Sequence, residues 1–275
     1  MPFIAAALSC ILCALPCSFR FWLYNNLALV GNYFYPGYAK RRNERLPFNL
    51  FLKRGADSTV TNEACALDLV RRHTNVPVPY VLDNLYDPTE QVRWLLMTRI
   101  DGEISGPSIR SMSPAQRKAW GQQLAGFIHQ LRAIPNPFPN AICSAAGGPL
   151  EDPRVESRGC PGPFDSEADL NATLRRDYLK GIVDRVDRVH SIKHDIYFTH
   201  ADLSHRNILT RNGRIVGIVD WEFAGWYPEY WEYTKAHFLT FRDFKEWSEI
   251  WKELFPTYEE ELALEMEFWS RRPSW

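Results

Sequence analysis

The segment from Tyr197 to Glu222 constrains this 275-residue chain more than any other. Tyr197 to Thr199, aromatic and β-branched, reads as a short strand, and His200-Ala-Asp-Leu-Ser-His-Arg-Asn207 has the composition of a loop. Ile208-Leu209 predicts a second strand. Asn212-Gly213 is the dipeptide of a tight hairpin turn leading into a third, Ile215 to Val219. That hairpin brings Asp202, Asn207 and Asp220 to neighbouring loop ends. Two carboxylates and an amide so placed suit phosphoryl transfer: one carboxylate receives or orients the proton of an attacking hydroxyl, and oxygen ligands hold Mg²⁺ against nucleotide phosphates.

Upstream, the pattern from Leu46 onward reads strand, helix, strand, strand. Pro47 to Lys53 is an apolar strand stopped by Arg54-Gly55, and Thr61 or Asn62 can cap a helix whose apolar face is Ala64, Leu67, Leu69 and Val70. Val76 to Leu82, held extended by Pro77 and Pro79, leads to a strand at Arg93 to Met97. Lys53 then ends the first clear strand and Glu63 opens the helix. The second half is mainly helical. Ser113-Pro114 starts one helix, Ser166 caps another, and Ile182 to Val189 marks a third. A Gly/Pro-rich connector, Ala145 to Phe164, separates the first two, and Pro228 opens a further helix in an aromatic cluster running from Trp221 to Tyr233.

Composition narrows the classes. A net charge of −1 supplies no field for nucleic acid, and the basic cluster Lys40, Arg41, Arg42 and Arg45 reads as a solvated face. Six cysteines, three of them crowded at Cys10, Cys13 and Cys17, do not form a secreted disulfide pattern, and the Cys10/Cys13 pair has no second ligand pair for zinc. A reducing, cytoplasmic setting fits. Phe3 to Cys17 is an uncharged apolar run shorter than the roughly 20 residues that span a bilayer. It predicts a peripheral helix with weak membrane contact at most, and Phe21 to Tyr35 is expected to cover the edge of the lysine strand.

H-A-D-L-S-H-R-N followed by I-V-D-W-E resembles the H-G-D-x-x-x-x-N and D-x-E/D signatures of the aminoglycoside phosphotransferases and their choline-kinase-like relatives. The segments L-P-F-N-L-F-L-K, V-P-V-P-Y-V-L and G-W-Y-P-E-Y-W-E-Y look like the fungal branch of that family. The resemblance implies an α+β, two-lobed protein-kinase-like fold with a small, truncated N-lobe sheet and a mainly helical C-lobe. Residues 1–45 would be an apolar segment, 46–100 the N-lobe and 101–275 the C-lobe. It casts Asp202 as catalytic base, Asn207 and Asp220 as Mg²⁺ ligands, Lys53 as the phosphate-holding lysine and Glu63 as its partner. Met97, Thr98 and Ile100 would form a hinge against the adenine of ATP, and the acceptor would be a hydroxyl of a small, aminated metabolite.

Each residue also has a plainer reading. A lone Lys-Glu pair is usually a surface ion pair, and Asp202 and Asn207 are common turn residues. His200 is expected to pack and hold the loop, His205 to be solvated, and Glu222 to bind Mg²⁺ through water or brace the loop. The aromatic cluster reads as core in preference to a cage for a quaternary ammonium, and Glu229 and Glu232 face either solvent or a cationic substrate. Before Lys53 only Gly31 and Gly37 occur, so a glycine-rich phosphate loop is not recognisable. Two alternatives follow: a pseudokinase-like binding protein, and a metal-dependent hydrolase using His200, Asp202, His205 and Asp220.

Overall fold

The computed structural model describes residues 2–36, 42–156, 161–175, 183–238 and 244–271. Two helices open the chain, α1 (Pro2–Cys13) and α2 (Cys17–Phe34). They are followed by an antiparallel sheet of order β1-β2-β4-β3, made of β1 (Asn43–Leu46), β2 (Leu50–Gly55), β3 (Val81–Asp87) and β4 (Val92–Thr98), with α3 (Asp57–His73) between β2 and β3. Period-two alternation decides what each face of this sheet meets. Leu52, Trp94 and Leu96 pack with Tyr24 and Ala28 of α2 and with Leu12 of α1, whereas Leu95 and Met97 join the cluster of Val60, Leu67 and Val70 on α3. Lys53, one residue after Leu52, therefore points to the α3 side.

The strand expected at Pro47 to Lys53 begins later. Phe48 and Asn49 take left-handed backbone angles (φ 61° and 59°) and form the turn between β1 and β2. Asn49 fixes that turn to the end of β4: its carbonyl accepts from the Arg99 N–H at 2.8 Å and its amide donates to the Arg99 carbonyl at 2.8 Å. The division at residues 45/46 thus falls inside β1, and both opening helices rest on the sheet. Residues 37–41, which include Gly37, lie outside the described ones.

Hairpin α1–α2 is bolted to the sheet by a buried carboxylate. Asp83 on β3 accepts from Arg20 Nη1 at 2.7 Å and from the Tyr24 hydroxyl, and is 5% exposed. Close approach does the rest. A Cβ on Gly31 would lie 2.2 Å from the Arg45 carbonyl oxygen, so α2 meets β1 only because this position lacks a side chain. The lysine strand has no edge for Phe21 to Tyr35 to cover: β2 pairs with both β1 and β4, so α2 instead packs on a face of the sheet and beside the edge strand β1.

The larger lobe carries α4 (Ser105–Ser111), α5 (Pro114–Arg132), α6 (Pro153–Glu156), α7 (Glu167–Arg175), α8 (Val183–Val189), α9 (Trp231–Phe238), α10 (Lys245–Leu254) and α11 (Glu259–Arg271). Two short sheets accompany them: β6 (Cys143–Ser144), β10 (Gly225–Pro228) and β7 (Ile196–Thr199) in one, and β5 (Glu103–Ile104), β8 (Ile208–Arg211) and β9 (Arg214–Ile218) in the other. Ser113 and Gln116 form the reciprocal capping box that starts α5. Asn212 and Gly213 both have positive φ, as their hairpin turn requires. Pro228 does not open a helix. Gly225 to Pro228 pairs with β7, and α9 begins at Trp231. Trp221, Trp226, Tyr227, Tyr230, Trp231 and Tyr233 are buried, so the aromatic cluster is core and forms no cage. Ile182, expected to begin the third helix, lies outside the described residues.

His194 joins α7, the start of β7 and α11. Its ring approaches Glu167 at 2.7 Å and Glu261 at 3.3 Å, and Tyr230 packs edge-on against it. Burial alone would lower its pKa, but hydrogen bonds to the two carboxylates overcome this and raise it to about 9. A histidine raised in the folded state stabilises fully below its unfolded value near 6.5 and loses that contribution as pH climbs through about 9. His194→Gln should therefore melt lower than the parent chain at pH 6. The gap should close by pH 10, as read by calorimetric melts across that range.

Candidate active site

Lys53 sits where the two lobes meet. Its Nζ lies 2.7 Å from Glu63 Oε2 on α3, 2.6 Å from Asp220 Oδ1 and 2.8 Å from Glu222 Oε2 in the segment after β9. Burial would lower the lysine pKa, yet the three carboxylates outweigh it and raise it well above the ordinary value, so the ammonium is held charged. Burial pushes the Glu63 carboxyl upward against the pull of Lys53. Glu63 also accepts from the Trp221 backbone N–H at 3.3 Å. One carboxylate on α3 thus fixes both the lysine and the backbone just past Asp220, which itself takes a left-handed φ of 68°.

Asp202 and Asn207 face each other across their loop. The Asn207 amide nitrogen donates at 2.8 Å to the Asp202 carboxylate and at 2.8 Å to its backbone carbonyl, which fixes the amide so that its oxygen is the side chain's acceptor atom. Val219 N–H donates to the Asn207 carbonyl at 2.9 Å, tying this loop to the strand that delivers Asp220. Burial pushes the Asp202 carboxyl up to about 6, opposed by the Lys235 charge and the Asn207 hydrogen bond.

His200 holds the loop through the backbone. Its Nε2 meets the Val219 carbonyl at 3.1 Å, its Nδ1 accepts from the Asp202 N–H at 3.2 Å, and its ring lies against Trp221. Burial lowers its pKa to about 4, so the imidazole is neutral. Both ring nitrogens are spent, which removes it as a metal ligand. His205 is not solvated: it is half-buried and packs edge-on against Phe244 at 4.9 Å. Among the described residues, the side-chain group placed to hold a metal is Glu63, Asp220 and Glu222 and includes neither histidine, which speaks against the hydrolase alternative.

Ala201 occupies the motif's glycine position with φ 63° and is fully buried. The loop keeps a glycine-type backbone without glycine, at a cost of roughly 1–2 kcal/mol.

Two residues in this machinery had no sequence signal. Asn62 lies inside α3, which starts at Asp57, and caps nothing. Its amide donates to the Glu222 and Ala224 carbonyls at 2.9 and 2.8 Å and accepts from the Ala146 N–H at 3.1 Å, joining α3 to the segment after Asp220. Glu232, expected to face solvent or substrate, is buried and accepts from the His200 N–H at 2.7 Å. Burial raises its pKa to about 7 against that hydrogen bond. An Asn or Glu in a helix looks the same whether it is exposed or bolted to a partner far along the chain.

Between the lobes lies a cavity of about 560 Å³ whose walls include Lys53, Glu63, Met97, Thr98, Ile100, Asn207 and Asp220. All the residues read as nucleotide or metal contacts border it. The hinge is partly committed: the Thr98 N–H donates to the Tyr80 carbonyl and the Arg99 N–H to that of Asn49, at 2.9 and 2.8 Å. The donor set is oxygen-only. Glu63, Asp220 and Glu222 bring carboxylate oxygens within 4.8 Å of one another around the Lys53 ammonium, and oxygen donors of this kind are those a hard cation such as Mg²⁺ takes.

The family model described as the phosphotransferase enzyme family, APH, matches residues 39–264, and the chain belongs to that family. An aminoglycoside 3'-phosphotransferase from Escherichia coli is 27% identical over 180 residues, 64% of this chain and 63% of that protein. The chain thus spans under two thirds of the length of this curated relative. Among solved structures, the GDP complex of wild-type aminoglycoside 2'-phosphotransferase-IIIa aligns with a TM-score of 0.56 at 15% identity, covering 90% of this chain and 86% of that one. A streptomycin–ATP ternary complex of APH(2")-IIa aligns with a TM-score of 0.53 at 16% identity, over 83% and 78%. At such identities the likeness is one of fold, the two-lobed kinase-like architecture.

Asn62→Ala should cost about 2–4 kcal/mol, because two carbonyls and an amide lose their partner in a buried site. Asn62→Asp, which cannot donate to the carbonyls, should cost at least as much. Urea unfolding of both variants measures this, and a loss within experimental error would show that the three hydrogen bonds do not brace the loop.

Proposed function

We propose that the chain transfers a phosphoryl group from ATP to a hydroxyl of a small molecule, with Mg²⁺. The observation that carries this reading is the convergence of Lys53, Glu63, Asn207 and Asp220 on one interlobe cavity, with Asp202 hydrogen-bonded to its edge through Asn207. In this reading β1 to β4 and α3 form the nucleotide-holding lobe, and residues 101–275 supply the base and the acceptor side.

Asp220 and the Asn207 amide oxygen would hold Mg²⁺, with Glu222 adjacent. When bound, the ion neutralises charge on the phosphates. Lys53, charged and fixed by Glu63, meets the phosphates once they displace its contacts with Asp220 and Glu222. Met97, Thr98 and Ile100 line the adenine end. Asp202 accepts the acceptor hydroxyl's proton at its carboxylate, and Asn207 and His200 keep that carboxylate in place. The pKa of Asp202, raised by burial, gives a better proton acceptor than an exposed aspartate.

An aminated acceptor is suggested by the curated relative's name, aminoglycoside 3'-phosphotransferase. A cytoplasmic setting is supported by the five described cysteines, all free. The segments Leu46 to Lys53 and Gly225 to Tyr233 support placement in the fungal branch of the family. Among the described residues no helix is long and apolar enough to cross a membrane.

Roles divide between the two aspartates. Asp202→Ala should lower phosphate transfer from labelled ATP to a panel of aminated alcohols by about 10²–10⁴-fold while leaving ATP–Mg²⁺ affinity largely intact. Asp220→Ala should abolish Mg²⁺-dependent ATP binding in thermal-shift titrations. Equal ATP–Mg²⁺ affinities in the two variants would contradict this division.

A further inference from the structure

Hairpin α1–α2 is apolar on the faces turned away from the sheet as well as on those packed against it. On α2, Tyr24, Ala28 and Gly31 are buried, and roughly half a turn round the helix stand Trp22, Leu29 and Tyr33, exposed by 58%, 69% and 81%. Phe19 packs beside Trp22 and Phe34 beside Tyr33. With Val30 and with Ile4 and Ile11 of α1, eight of the thirteen exposed large hydrophobic side chains among the described residues lie on this hairpin. Single exposed hydrophobics are ordinary; this concentration marks a binding face.

The hairpin cannot simply turn over to bury that face. Arg20 and Tyr24 hold it through Asp83, and Gly31 lies against β1 with no room for a side chain. The bolting fixes which side looks outward.

Charge identifies the occupant. The first 43 residues contain Arg20, Lys40, Arg41 and Arg42 and no aspartate or glutamate, in a chain whose net charge is −1. Arg20 is spent on Asp83, and the sequence that directly follows α2 adds three positive charges with no acidic residue among them. Trp22, Tyr33, Phe19 and Phe34 are of the types that settle at a membrane–water boundary, where an apolar ring and a polar edge are both satisfied. At 12 and 18 residues, the two helices fit a lipid surface along their length and do not cross it.

We infer that the outward face of α1–α2 docks on an anionic lipid surface. Aromatic side chains of α2 enter the interface, the positive charge of this end of the chain supplies the anionic preference, and the kinase-like body is carried at the membrane surface with its interlobe cleft intact. Attachment of this kind is reversible and sensitive to salt.

Sedimentation of the full chain with vesicles tests this directly. The parent chain should pellet with phosphatidylcholine vesicles containing about one third phosphatidylserine, and pellet less in high salt. The triple variant Trp22→Ser, Leu29→Ser, Tyr33→Ser changes only exposed positions and should keep the parent melting temperature while losing roughly tenfold or more in vesicle affinity. Equal affinity of parent and triple variant would overturn the assignment of the face. Equal pelleting with pure phosphatidylcholine would overturn the anionic preference. A parent chain that ignores vesicles, including one that forms a dimer broken by the same variant, would give the face to a protein and overturn the proposal.

Discussion

The ion cluster around Lys53 is the contact on which the rest of the site depends. One ammonium touches carboxylates from α3 and from the segment after β9, so the small lobe, its helix and the larger lobe share a single point. Such a cluster adds little net stability, because desolvating the charges offsets most of their attraction; removing the buried Lys53 would strand Glu63 at a cost of about 3–5 kcal/mol, whereas the more exposed Asp220 and Glu222 count for less. Its consequence is geometric. Glu63 cannot shift without moving both Lys53 and the Trp221 backbone, and Asp220 is presented to the cleft on a backbone angle that few residues adopt.

Around this point lies a second layer of polar bolts. Asn62 ties α3 to the carbonyls of Glu222 and Ala224, His200 ties the loop to Val219, and Glu232 ties the start of that loop to α9. Each satisfies backbone groups that would otherwise be buried without partners. Loops carry the candidate site residues, and helices hold the loops. Asp202 can be both partly desolvated and fixed because Asn207 and His200 take up its neighbouring hydrogen-bonding positions.

The small sheet poses a different problem. β4 is apolar on both faces from Trp94 to Met97, so one layer of helix is insufficient, and α1–α2 covers the side that α3 does not. Asp83 anchors that cover with two hydrogen bonds. What the cover then presents outward is again apolar. A segment that looks irregular in sequence is therefore a structural layer with two working faces.

Local chemistry made much of this legible from the residues alone. Asn212-Gly213 dictates its own turn, Ser113-Pro114 its own helix start, and the order Asp202, Asn207, Asp220 around one hairpin brings these three side chains together by short-range geometry. Lys53 and Glu63 were readable because a strand-then-helix pattern places them on facing elements. The aromatic run from Trp221 to Tyr233 was readable as core, but tertiary structure alone decided the work of Asn62, Asp83 and Glu232 and the way α1–α2 docks on the sheet. Their partners lie 32 to 162 positions away, and whether a polar helix residue meets water or a buried carbonyl depends on packing between elements, which no local pattern encodes.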